Sequence, residues 1–75
     1  MVIIEIYAVQ WEKHIELKTD REIKASELCR CIAKIMGEKE GNGFLISCRG
    51  QGSIPENARL SGYGIRSGDM LLYIS

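Results

Sequence analysis

The chain has 75 residues, of which ten are basic and ten acidic, so its formal net charge at neutral pH is zero. A chain this short forms one small domain, residues 1–75, and a balanced charge gives no basic face for nucleic acid. No apolar run reaches the roughly 20 residues that a membrane-spanning helix needs, and the apolar start, interrupted by Glu5, lacks the basic leader of a signal peptide. We therefore expect a soluble, cytoplasmic protein with no nucleic-acid partner and no insertion into a membrane.

Three cysteines and one histidine are the thiol and imidazole side chains of this sequence, the groups typical of zinc sites and of cysteine nucleophiles. Cys29 and Cys31 lie two positions apart on a predicted helix, so their side chains point about 200° apart and are poorly placed to share a metal. Cys48 lies in a predicted strand, and the sequence has no C-x-x-C pair. We expect reduced, structural thiols and no bound metal.

The first 20 residues predict a β-hairpin. Apolar residues alternate with others over residues 2–9 and 14–19, which predicts two antiparallel strands joined by a turn. Glu5 and the polar tip of Tyr7 mark the wetter face of the first strand. The residues expected to point inward are Val2, Ile4, Ile6, Ala8, Ile15 and Leu17.

An amphipathic helix is predicted from Ala25 onward, because the apolar spacing there changes from two to three and four. Lys24 is not a favoured residue at a helix N-cap. Gly37 is favoured just beyond a helix, so we end the helix near Met36, although it could run on toward Gly41. The stripe expected to be buried consists of Ala25, Leu28, Cys29, Ile32, Ile35 and Met36.

Three further strands are predicted after the helix. Residues 44–49 form the third, in which Phe44, Ile46 and Cys48 share one face and Leu45 and Ser47 share the other, with Ile46 expected in the core. Ile54 belongs to a very short edge strand that Pro55 ends. The apolar run of residues 70–74 predicts a last strand in the middle of the sheet. One helix cannot cover both faces of this sheet, so one face must meet solvent or a partner. The expected class is α+β, with a mixed four- to five-stranded sheet and one helix packed across one face.

The loop before the last strand resembles that of ubiquitin and its relatives, with the matching residues at Leu60, Ser61, Tyr63 and Ile65. The turn Gly68-Asp69 is similar to that of the bacterial ubiquitin-like proteins of the YukD type, small cytosolic companions of type VII secretion systems. The resemblance implies a β-grasp fold in which the first and last strands lie parallel and adjacent. It also implies a non-conjugated accessory that docks on a cytosolic component of the secretion machine.

Two alternatives to this function stay open. Ubiquitin and the sulfur carriers similar to it end in a flexible Gly-Gly tail whose carboxylate is adenylated, whereas this sequence stops at Ser75, directly after the last predicted strand. We therefore expect neither covalent conjugation nor sulfur transfer. The alternatives are a relative of the ThiS and MoaD sulfur carriers that lacks its tail, and a ubiquitin-like domain excised from a larger protein.

The sequence contains no recognisable catalytic constellation. His14 stands alone on the polar face of a predicted strand, and Asp69 follows a glycine in a turn, where it is expected to bond local backbone. The glycine-rich stretches at residues 41–43 and 50–52 lack the dinucleotide-binding and Walker patterns and are typical of turns. We expect no enzymatic activity and no cofactor.

Alternation along the last strand predicts a partner-binding surface. Leu71 and Tyr73 would point toward the helix, which leaves the other three strand residues on the opposite face. Trp11, at the hairpin tip, would either extend this surface or cover the sheet edge. A converging apolar surface usually marks an interaction site, here for a secretion-machine protein or a second copy of the chain. The candidate residues are Ile3, Tyr7, Trp11, Leu45, Met70, Leu72 and Ile74.

Overall fold

The computed structural model describes residues 1–38, 43–50 and 52–75. Short 3₁₀ turns occur at Val9–Trp11 and Leu60–Tyr63. The five strands and one α-helix of these described residues are β1 (Val2–Ala8), β2 (Lys13–Thr19), α1 (Ala25–Ile35), β3 (Phe44–Ser47), β4 (Gly52–Ile54) and β5 (Met70–Ile74).

The five strands form one mixed sheet in the order β2-β1-β5-β3-β4. β1 and β5 are parallel neighbours, and every other neighbouring pair is antiparallel. The predicted central position of the last strand is therefore confirmed, as is the short edge strand at Ile54. The arrangement is the predicted α+β class, with the helix on one face of the sheet.

The core lies between α1 and one face of the sheet. Leu28 and Ile32 of the helix are fully enclosed, and Leu71 of β5 is 0 % exposed. Each such side chain contributes about 1.5–3 kcal/mol by leaving water. The other fully buried or nearly buried apolar residues that meet there are Val2, Ile4, Ile6, Ala8, Ala25, Cys29, Leu45, Ile54, Leu60, Ile65 and Tyr73.

The start of α1 is capped by backbone from another part of the chain. Lys24, at the N-cap, makes no side-chain capping bond, as its residue type predicts. Instead the N–H of Ala25 donates to the carbonyl of Ala58 at 2.8 Å, and the N–H of Ser26 donates to the carbonyl of Glu56 at 2.9 Å. These bonds satisfy donors that a helix start leaves free, and they tie α1 to the loop beyond β4.

The end of α1 is set by Gly37, which has a φ of 82°. Its N–H donates to the carbonyl of Lys34 at 3.1 Å, and the N–H of Glu38 donates to that of Ala33 at 2.8 Å. This pair of bonds closes a helix on a left-handed glycine, so the predicted end near Met36 is confirmed. The alternative end near Gly41 falls in residues 39–42, outside the described part of the chain.

One residue of the predicted helix stripe is placed wrongly. Ile35 is 51 % exposed, whereas Ala33, which the prediction omitted, is buried. At 100° per residue Ile35 lies roughly 60° around the helix from Ile32, on the side away from Ala33. The helix turns this flank to the surface.

The predicted phase of β3 is also wrong. Leu45 and Ser47 face the core, with exposures of 0 % and 4 %. The antiparallel register decides this, because Leu45 lies opposite the buried Tyr73, and cross-strand neighbours share a face. Phe44 and Ile46 consequently point to the face without a helix, where Leu45 was expected.

Candidate functional site: the open face of the sheet

The face of the sheet opposite α1, called the open face below, presents apolar side chains from its three central strands. They are only partly covered, and the most exposed are Phe44 at 46 % and Ile3 at 45 %. The register assigns to this face Ile3, Glu5 and Tyr7 of β1, His14, Glu16 and Lys18 of β2, Phe44 and Ile46 of β3, Ser53 of β4, and Met70, Leu72 and Ile74 of β5.

The middle of the open face is a row of three apolar side chains, Tyr7, Leu72 and Ile46, called the apolar row below. Leu72 is paired with Tyr7 on one side and with Ile46 on the other. His14 continues the row at the β2 end and Ser53 at the β4 end. With strands about 4.8 Å apart, the apolar row spans roughly 10 Å between two polar flanks.

Beside the apolar row lie two carboxylates, Glu5 and Glu16, called the acidic pair below. They are directly opposite each other in the β1–β2 register, and Met70 continues their row on β5. His14 Nε2 lies 3.4 Å from Glu5 Oε1, and both side chains are well exposed. Like charges at directly opposed positions repel each other. His14 contacts Glu5, and Lys18, also on the open face, lies two residues from Glu16 along β2.

The chain entering β5 is held by a polar cluster around Asp69. Its Oδ2 accepts from the backbone N–H of Arg66 at 2.8 Å and lies 3.1 Å from Arg49 Nη2. Arg49 also donates to the carbonyl of Gly64 at 2.8 Å, and Gly64 has a φ of 65° that suits glycine. The predicted local role of Asp69 is confirmed, and the cluster fixes where β5 starts.

Comparison with known proteins establishes the fold of this chain. No protein-family model matches it, and no curated protein does. A solved structure of a protein designed on the basis of ubiquitin is similar, with a TM-score of 0.79 over 96 % of this chain and 84 % of the designed chain, at 15 % sequence identity. The fold is ubiquitin-like. At this identity the likeness concerns the β-grasp architecture and not what the protein binds.

Five of the seven predicted site residues lie on the open face of this ubiquitin-like domain. Two do not. Leu45 is fully buried against the core, because β3 has the opposite phase. Trp11 lies on the helix side, where its ring stacks on Tyr73 with centroids 6.2 Å apart and an interplanar angle of 18°. Trp11 therefore covers the core residue Tyr73 of the central strand, which is neither of the two roles considered for it.

Phe44 and Ile46 are open-face residues that the sequence analysis missed. The predicted phase placed both on the core face together with Cys48. Residues 44–46 are apolar without interruption, and such a run has no alternation from which to read the phase. The signal that could have placed them is a pairing rule. If β3 is the antiparallel neighbour of β5, Leu45 falls opposite Tyr73, and Ile46 then joins Leu72 on the open face.

A groove of about 300 Å³ lies between α1 and the β3–β4 edge of the sheet. Cys29 lies in its wall, and burial raises the pKa of this thiol to about 11. Its lining comprises Ala25, Ser26, Cys29, Gly43, Phe44, Leu45, Ser53, Ile54, Pro55 and Glu56. A thiol this hard to ionise is a weak nucleophile, so the groove offers shape and apolar contact and no activated sulfur.

Other chemistry is sparse in the part of the chain that the structure describes. No three metal-ligating side chains come together there. None of its helices is long and apolar enough to cross a membrane. The hydroxyl of Tyr73 is buried close to the backbone of Gly43 and the side chain of Ser75, and no hydrogen bond of ordinary geometry reaches it among these residues. Burial is the main cause that raises the pKa of this phenol, and the charge of Glu38 adds to it.

Proposed function

We propose that this chain is a non-conjugated, ubiquitin-like protein-binding module that acts through its open face. We further propose that it is a cytosolic accessory of a bacterial type VII secretion system, with no catalytic activity of its own. The observation that carries the proposal is the apolar row, Tyr7, Leu72 and Ile46, which lies partly exposed in the centre of the sheet.

The open face has the composition of a protein-binding surface. Aromatic and aliphatic side chains occupy its middle, and charged or polar side chains lie at its β2 and β4 flanks. Interfaces have the same plan, with an apolar centre that excludes water and a polar rim. Full burial of one apolar side chain contributes about 1.5–3 kcal/mol before the costs of association.

The assignment to a secretion system is supported by the ubiquitin-like fold together with the resemblance of Gly68-Asp69 to the turn of YukD-type proteins. That turn begins β5 and therefore sets the position of Leu72 in the apolar row. The proposed partner is a cytosolic component of the secretion machine. A second copy of the chain is the other candidate for the same surface.

Photo-crosslinking in the cell of origin tests the proposal directly. A benzoylphenylalanine in place of Phe44 puts a similar-sized reactive ring on the open face, and the same group in place of Arg30 puts it on the exposed side of α1. We expect light-dependent adducts from position 44 only, with a secretion ATPase or channel component. Equal adducts from both positions, or none from position 44, contradict binding through the open face. Adducts confined to proteins of another system overturn the secretion assignment alone.

Substitutions that insert charge into the open face give a second test, which uses the purified protein. Ile46→Asp with Leu72→Asp places two carboxylates in the apolar row, and Ser53→Asp places one at its polar end as the matched control. We expect the double variant to stay folded and to lose partner capture or self-association, measured by pull-down and light scattering. If it stays folded and loses neither, the open face is not the working surface.

The absence of conjugation is tested with ATP and activating enzymes of the ubiquitin and sulfur-carrier types. We expect no acyl-adenylate and no thioester on the carboxylate of Ser75. A mass spectrum that shows either adduct overturns the non-conjugated proposal and favours a sulfur-carrier relative.

A further inference from the structure

We infer that the open face binds an amphipathic α-helix that places an arginine or lysine over Glu5 and Glu16. This inference rests on the proposed function and specifies the partner of the same surface. It combines three observations: the paired backbone of the central strands, the dimensions of the apolar row, and the acidic pair beside it.

The backbone of the sheet favours a helix over an extended peptide on this face. β1 is paired on both sides, by β2 and β5, and β5 is paired by β1 and β3. The open face over these strands therefore presents side chains and no free ladder of N–H and C=O groups. An extended peptide laid on it would bury backbone groups without partners. A helix satisfies its own backbone and packs on a sheet as a second layer.

The apolar row matches the apolar stripe of a short helix. Tyr7 and Ile46 are two strand spacings apart, roughly 10 Å, with Leu72 between them. Helix positions i and i+7 are about 10.5 Å apart, and position i+4 falls between them on the same side. A helix that crosses the strands above this row can therefore contact all three side chains with three of its own.

The acidic pair supplies the charge of the partner. The two carboxylates face each other across β1 and β2, so their Cβ atoms are about 5 Å apart. Over residues 1–38, 43–50 and 52–75, no lysine or arginine lies within 4 Å of either one, and the contact from His14 reaches Glu5. A guanidinium can bond two carboxylates at once through its planar set of donors. The pair lies two residues, about 7 Å, along β1 from the apolar row.

A second copy of the chain fits this charge less well. A two-fold axis along β5 would place Glu5 over Cys48, which continues the row on the β3 side. An axis across the strands would keep the acidic pair over β1 and β2 and place it toward Val9, beyond the apolar row. Neither position has a basic side chain, so a symmetric pair centred on the apolar row leaves the carboxylates without a counter-charge.

The inference is tested by selecting binders from a displayed library of single 18-residue helices with one randomised face. Selections on the native protein should yield apolar residues at i, i+4 and i+7 with an arginine or lysine at one constant flanking position. The selected peptide should lose about tenfold in affinity on a Glu5→Gln and Glu16→Gln variant, and lose affinity as salt rises. Glu27→Gln, an exposed acid on α1, is the matched control and should leave affinity unchanged.

Three results of the selection and the affinity measurements overturn the inference, and sedimentation gives a fourth. One is an enriched peptide set without a constant basic position, and another is an affinity that changes less than about twofold when the acidic pair is neutralised. The third is a selection in which no enriched helix loses its binding to the Ile46→Asp and Leu72→Asp double variant. None of these alters the crosslinking from position 44, which tests the proposed function independently. A native dimer in sedimentation that the same double substitution abolishes would identify a second copy as the occupant and reject the helix.

Discussion

The two faces of the sheet carry similar residues but differ in how far their side chains are exposed to solvent. Along β5, Leu71 and Tyr73 are 0 % exposed under α1, whereas the three alternate residues of the same strand remain partly exposed. Both sets are apolar, so side-chain type does not separate them. The difference is the cover, since one helix of 11 residues encloses only one face. Apolar side chains therefore stabilise the fold on one face and remain partly exposed to solvent on the other.

The largest expected effect on stability concerns β3, where neighbouring residues point to opposite faces of the sheet. Leu45→Asp puts a charge into the closed core, and we expect it to leave the chain unfolded, because a buried unpaired carboxylate costs several kcal/mol. Ile46→Asp puts the same charge on the open face and should leave the fold intact. Far-ultraviolet circular dichroism and urea titration of the two variants provide the comparison. Equal stability of the two would reject the register of β3 with β5.

The same comparison in β5 uses truncation. Leu71→Ala removes a fully buried side chain and should lower the free energy of unfolding by roughly 2–5 kcal/mol. Leu72→Ala, on the partly exposed row, should cost less than about 1.5 kcal/mol. Thermal melts measure both. A Leu71→Ala variant that melts within about two degrees of the parent would contradict the placement of this strand in the core.

How much of this asymmetry could be predicted depends on whether its cause is local. The end of α1 and the strand alternation of β1 and β5 follow from nearby residues, such as Gly37, and the predictions there are confirmed. The phase of β3 depends on pairing with Tyr73, 28 positions from Leu45, and no local pattern encodes that contact.

The candidate site was predictable to a similar extent. The open-face residues of β1 and β5 follow from alternation, whereas the position of Trp11 depends on the 3₁₀ turn Val9–Trp11 that swings the ring over Tyr73. The acidic pair follows from the register of the hairpin, which places Glu5 opposite Glu16. Turn geometry sets such a register, and a shift of one residue would separate the two carboxylates onto opposite faces.

A smaller effect tests how tightly the covered face is packed. A methyl group added at Gly43 would lie 2.6 Å from the ring of Tyr73 and from the carbonyl oxygen of Ile74. Gly43→Ala should therefore destabilise the protein by about 1–3 kcal/mol. Gly62→Ala is the matched control, since a methyl there meets nothing within 4 Å, and its cost should be clearly smaller. Urea denaturation compares them, and a neutral Gly43→Ala would mean that β5 can move away from this loop at little cost.

The reactivity of the three thiols at neutral pH gives a comparison that needs no substitution and no large structural change. It distinguishes a thiol buried under α1 from thiols at the surface. Cys29 is buried under α1, whereas Cys31 and Cys48 are exposed. A disulfide reagent such as Ellman's should titrate two thiols at once in the folded protein, and the third only as the chain unfolds. Three equally fast thiols in the folded protein would show that the covered face is open to solvent.

The thiol of Cys29 also makes the stability of the folded protein depend on pH. Burial raises its pKa from 9.0 to about 11, so the folded chain keeps a proton that the unfolded chain loses. Its contribution to stability is complete below pH 9 and disappears as the pH rises toward 11. Burial raises the pKa of Tyr73 as well, which adds a loss of the same sign above pH 10. Urea titrations from pH 8 to 11 should therefore show that the free energy of unfolding of the parent falls as the pH rises. The fall should be shallower in Cys29→Ala and the same as in the parent in Cys31→Ala. A parallel fall in all three proteins would mean that the helix does not keep water from this sulfur.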